Sequence, residues 1–143
     1  MAGYAVLNPP ALERRREWGP LILRVFTGAV LVYGTLDNVL SHERMVEFEA
    51  FVAQNGFPWP AFSARFSAYA QFLCGILIAL GLLTRPAALA MVINFAIALA
   101  MVHVGLPFSA NIAPLSMLFL NAHLVFYGGG ILSLDGRLQQ PDS

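Results

Sequence analysis

A small set of polar side chains interrupts the long apolar runs of this chain: Arg24, Tyr33, Asp37, Asn38, Gln71, Asn94, His103, Asn121 and His123. In hydrocarbon a charged or amide group is costly, so each marks a polar interior or a functional position by default. Their chemistry is that of hydrogen bonding and proton handling. Tyr33, Gln71, His103 and Arg24 can donate to a carbonyl oxygen, and a histidine near an aqueous surface can pass protons to water. Other chemistries lack their residues. No Ser–His–Asp spacing, phosphate-binding glycine loop or pair of carboxylates occurs within the runs, so autonomous hydrolysis or phosphoryl transfer is not expected. Cys74 is the one cysteine, so the chain has no dithiol centre of its own, and in its apolar run this thiol reads as a packing residue.

The elements that carry these residues are apolar segments at about 18–40, 64–83, 86–104 and 112–133. Each approaches the roughly 20 residues that cross about 30 Å of hydrocarbon. Composition agrees: of 143 residues 58% are hydrophobic and 11% charged, against about 45–50% and 25% in ordinary soluble domains. The expected fold is all-α, a polytopic up-down bundle of four transmembrane helices. One long connection separates the first two spans. Met45, Phe48 and Val52 recur there at helical spacing opposite Glu43, Arg44, Glu47 and Gln54, which predicts a short amphipathic helix over 43–56 at the outer interface. Residues 1–17 form a basic tail, 18–137 a single membrane domain, and 138–143 a second tail.

Arg14, Arg15, Arg16, Arg85 and Arg137 gather at one end of such a bundle, and only Arg44 and Arg65 at the other. The positive-inside rule then puts both termini in the cytoplasm. Net charge is zero, which gives no footing for nucleic acid. With this topology two polar levels are expected. Tyr33, Asp37, Asn38, Gln71 and His103 fall in the outer half and form the candidate ligand-binding set. Arg24, Asn94, Asn121 and His123 fall in the inner half and read as structural polar groups. Helical phase adds three small-residue stripes that favour interhelical contact: Arg24–Gly28–Leu31–Thr35–Asn38, Ala64–Ala68–Gln71–Gly75–Ile78 and Ala87–Ala90–Asn94–Ala98–Met101. The Gly128–Gly130 run is expected late in the fourth span. His103 and His123 differ in depth by roughly 10–15 Å at the helical rise, too far for one haem, and no metal site is expected.

In order, the chain shows Arg24 followed by Gly28 and Gly34, then GILIALGLLTRPAAL at 75–89, then GGGILSLDGR at 128–137. In these passages it resembles the DoxX family of small four-span bacterial membrane proteins, from about Arg24 to Arg137. That resemblance implies a bundle in the bacterial cytoplasmic (inner) membrane, linked to thiosulfate:quinone oxidoreductase subunits and to membrane redox complexes. Family members often carry a glutamate where this chain has Gln71, a lysine where it has Asp37-Asn38, and GPG where it has GGG.

The function expected is an accessory membrane subunit of a redox system, a quinone-linked component rather than an autonomous enzyme. It would bind a quinone or another lipophilic redox molecule within the bundle, with no tightly held cofactor. A protein partner in a membrane complex, or a second copy of the chain, is implied besides the lipid bilayer. The alternative is a non-catalytic scaffold that recruits a partner through the 43–56 helix and the 105–111 loop. A small transporter is the weaker alternative, since no repeat, broken helix or line of charges crosses the spans.

Overall fold

The computed structural model describes residues 10–139. After a one-turn helix, α1 (Pro10–Glu13), come α2 (Trp18–Leu40), α3 (His42–Gln54), α4 (Pro60–Leu80), α5 (Thr84–Met101), α6 (Phe108–Tyr127) and a short α7 (Leu134–Leu138). Among the described residues there is no strand. Four helices, α2, α4, α5 and α6, are long and apolar enough to cross a membrane. They alternate up and down. The turns at 81–83 and 128–133 and the start of α2 share one end, called here the terminal end. α3 and the 102–107 turn lie at the far end.

The helices pack as two close pairs, α2 with α4 and α5 with α6, joined by looser α4–α5 and α2–α6 contacts. Glycine sets the first pair. A Cβ at Gly75 would stand 3.0 Å from the Gly28 carbonyl oxygen, and a Cβ at Gly28 would stand 2.8 Å from the Ala79 nitrogen. The backbones therefore touch, as small-residue contacts in membranes allow. A core of Leu31, Cys74, Ile78, Ala87, Ala88, Met91, Met117 and Leu124 fills the centre. The large apolar residues elsewhere on the spans, Phe26, Phe62, Phe66, Ile93 and Phe119 among them, are exposed, as a lipid-facing surface requires.

The expected amphipathic helix is α3. Ser41 caps it by accepting from the Arg44 N–H, and Met45 and Val52 are buried, with α3 lying against α4 and α2. Arg65 on α4 ties it down through Glu49, Nε to Oε1 at 2.6 Å.

The bounds of three spans differ from expectation. α4 begins at Pro60, which suits a first helical turn, and ends at Gly81, whose φ of 72° closes it in a left-handed cap. α5 runs 84–101 instead of 86–104. α6 stops at Tyr127, because the glycine run ends the helix: Gly128 and Gly130 adopt φ of 82° and 76°. Residues 128–138 instead fold back across the terminal end. Two of the small-residue stripes coincide with buried faces, with Arg24, Gly28, Leu31 and Thr35 on α2 and Ala64, Ala68, Gly75 and Ile78 on α4. The third does not. α5 buries Thr84, Ala87, Ala88 and Met91, whereas Ala90 is exposed and Asn94 half-buried. Its strongest partner is α6, so its buried face is rotated towards that helix.

Candidate functional site

Arg24 sits in the first third of α2 and is 3% exposed. Its Nη1 donates to the Ala79 carbonyl and its Nη2 to the Leu132 carbonyl, both at 2.6 Å. Ala79 lies in the last turn of α4, where carbonyls have no partner within the helix. One guanidinium thus joins α2, the end of α4 and the returning C-terminal segment. Gly81 makes room: a Cβ there would stand 2.6 Å from Nη1. The Arg24 Nε is buried without a partner among the described residues.

The same segment caps α5. Leu83 precedes that helix with φ 50°, a conformation that costs of order 1–3 kcal/mol outside glycine. Asp135 holds it. Its Oδ1 accepts from the Leu83 N–H and its Oδ2 from the Thr84 N–H, both at 2.8 Å, and its own N–H donates to the Gly81 carbonyl at 2.8 Å. A carboxylate at a helix N-terminus also meets the favourable end of the helix dipole. Burial pushes the Asp135 carboxyl up, but the N–H and hydroxyl of Thr84, the Leu83 N–H and the Arg24 charge outweigh it and hold the carboxyl below its ordinary value. The Thr84 oxygen is buried beside this carboxylate. Ser133 completes the turn, accepting from the Gly136 N–H at 3.0 Å and donating to the Gly130 carbonyl.

A second polar feature lies at mid-span between α4 and α5. The Gln71 Nε2 donates to Ser67 Oγ at 3.0 Å, and Ser67 donates to Asn94 Oδ1 at 2.8 Å. Gln71 and Asn94 both lie about 14–15 Å from the terminal end at 1.5 Å per residue. They were expected on different levels, Gln71 outer and Asn94 inner. The earlier start of α4 and of α5 brings both to the middle. The remaining amide ends, Gln71 Oε1 and Asn94 Nδ2, have no protein partner among the described residues, and neither belongs to the buried unpaired atoms. They stay accessible at mid-membrane depth.

The rest of the expected set does not converge. Tyr33 is 83% exposed, on the face of α2 opposite the Arg24–Gly28–Leu31 stripe. Asp37 is exposed and Asn38 half-buried near the end of α2. His103 lies in the turn after α5, half-buried, with Nδ1 buried and unpartnered. Among the inner group, Asn121 is fully buried on α6 and donates to the Met117 carbonyl at 2.8 Å, leaving Oδ1 unpaired. His123 is exposed and stacks on Tyr127, centroids 5.6 Å apart. Among the described residues no group of three or more His, Cys, Asp or Glu is placed to hold a metal.

Among the clefts on the surface of the described residues are two of similar size. One, about 660 Å³, is an apolar groove on α4 lined by Phe62, Arg65, Phe66, Tyr69, Leu73 and Cys74 among others. The other, about 590 Å³, lies at the terminal end beside Arg85, Glu17 and the glycine run. Neither is lined by Tyr33, Asp37, Asn38, Gln71 or His103.

Sequence reasoning missed Ser67, Ser133 and Asp135. Ser67 carried the clearest signal, standing one turn before Gln71 on the same face. Ser133 and Asp135 precede Gly136 in a serine-capped turn, which is a local helix-start pattern. Their partner across the fold, the α5 N-terminus, is not a local matter.

Four apolar helices with a buried arginine and an interhelical serine–asparagine hydrogen bond define a small multi-pass helical membrane protein. The chain belongs to the DoxX family, whose model matches residues 19–104. The matched stretch includes Arg24, Gly28, Gln71, Gly81 and Arg85 and ends before the returning segment. Comparisons with curated proteins and with solved structures gave no match.

Proposed function

We propose that this chain is an accessory subunit of a redox system in a bacterial inner membrane, with both termini in the cytoplasm, and that it binds a quinone-class molecule against the α4–α5 face. The observation that carries this reading is the Gln71–Ser67–Asn94 chain with its free amide ends at mid-span. An unpaired amide facing hydrocarbon is costly, so this pair calls for a polar partner within the membrane. One end donates and the other accepts. Asn94 Nδ2 can donate to a quinone carbonyl, and Gln71 Oε1 can accept from a quinol hydroxyl. With no redox centre of its own, the chain would hold the molecule for a partner that moves the electrons.

The test is the quinone content of the purified protein. Wild type should retain quinone through mild detergent, and Gln71→Leu and Asn94→Leu should each lower retention about tenfold, the value of one hydrogen bond of about 1.4 kcal/mol. Equal retention in all three, or none in wild type supplied with quinone, would contradict the reading.

A further inference from the structure

The cleft at the terminal end has unequally engaged walls. Asp135 is committed, since both its oxygens accept peptide N–H groups. Arg85 is exposed, and its guanidinium meets one acceptor among the described residues, the Phe126 carbonyl at 3.5 Å, the limit of a hydrogen bond. Glu17 faces the other side; among the described residues its one ion pair is to the neighbouring Arg16 at 3.6 Å. The glycine run passes between the two. A Cβ at Gly128 would stand 3.2 Å from Arg85 Nε, and a Cβ at Gly130 would stand 3.5 Å from Glu17 Oε2. Cation and anion therefore flank a stretch of backbone about two residues long, roughly 7 Å at 3.8 Å per residue. Along it, the peptide N–H groups of Gly129 and Gly130, and that of Ile131 just beyond, donate to no protein acceptor among the described residues.

Uncommitted N–H groups beside an arginine favour a phosphate, and successive backbone N–H groups form anion-binding concavities. Glu17 favours a hydrogen-bond donor a few ångströms away. Depth selects the source. The cleft lies where α6 ends and α5 begins, at the edge of the spans, with the exposed apolar side chains of Leu83 and Ile131 in its wall. We propose that this cleft seats a phospholipid headgroup. The phosphodiester lies by Arg85 and the glycine-run N–H groups, and a donor-bearing end, ammonium or glycerol hydroxyl, lies by Glu17. Choline, which has no N–H or O–H, lacks the second contact.

The test is native mass spectrometry of the full chain in detergent, titrated with phosphatidylethanolamine, phosphatidylglycerol or phosphatidylcholine. Wild type should hold the first two about tenfold more than the third, on the scale of one charge-assisted hydrogen bond. Arg85→Gln should lower the binding of all three lipids. Glu17→Gln should bring the first two down towards the third. Arg137→Gln, an exposed cation at the same end but outside the cleft, should change nothing. Melting of each variant without lipid should match wild type, which separates lost binding from lost folding. Equal retention of the three lipids, an unaffected Arg85→Gln, an equal loss in Arg137→Gln, or displacement of lipid by millimolar inorganic phosphate would each overturn the proposal.

Discussion

Arg24 is a fastening group. Its two terminal nitrogens satisfy carbonyls from segments 55 and 108 residues away in sequence. Arg24→Leu leaves both carbonyls without that partner, and at about 1–3 kcal/mol per buried group the loss should be about 2–6 kcal/mol. Thermal melting in detergent should show it as a marked drop, with quinone retention per folded molecule unchanged. Gly81→Ala should fall in the same direction, because it meets both the left-handed φ and the guanidinium. Asp135 adds a pH dependence. Its carboxyl is held below the ordinary 3.8 when folded. A depressed acid contributes stability that is present above the unfolded value and lost as pH falls through the folded one. Melting should therefore decline below about pH 3.8 in wild type, and this acid limb should be reduced in Asp135→Asn, measured as melting temperature against pH.

At the scale of elements, the two close helix pairs have different origins. The α2–α4 pair is a backbone contact at Gly28 and Gly75. Gly28→Ala and Gly75→Ala should each destabilise by about 1–3 kcal/mol through overpacking. Gly34, which has nothing within 4 Å of an added Cβ, should tolerate Ala, or gain up to about 1 kcal/mol from helix propensity. Chemical or thermal melting of the three variants would order them. The spans and α3 were legible because apolar length and a 3.6-residue period are local properties of the chain. The phase of α5 was not: its alanines and Asn94 suggested one face, and the stronger contact with α6 turned the helix to another. The glycine run was misread for a similar reason. Glycine is tolerated in membrane helices, and what decides here is that the 128–138 segment finds partners on α2, on α4 and at the start of α5. Those partners lie across the fold.

At the scale of the molecule, the described residues fall into a small bundle with a locked end and a chemically open middle. The terminal end is fixed by Arg24, Asp135 and Ser133. The amide chain at mid-span leaves Gln71 Oε1 and Asn94 Nδ2 without a protein partner among the described residues. The sequence placed the ligand set in the outer half, on Tyr33, Asp37, Asn38, Gln71 and His103. Only Gln71 joins the mid-span chain, because a shift of a few residues in each helix start moved it and Asn94 to one level. The direct measurement is photolabelling in membranes with a photoreactive quinone analogue, followed by peptide mapping. Labels should fall on α4 and α5 around Ser67, Gln71 and Asn94, and an excess of unlabelled quinone should suppress them. Labels confined to the far half of α2 around Tyr33–Asn38, or no label that quinone suppresses, would contradict the account.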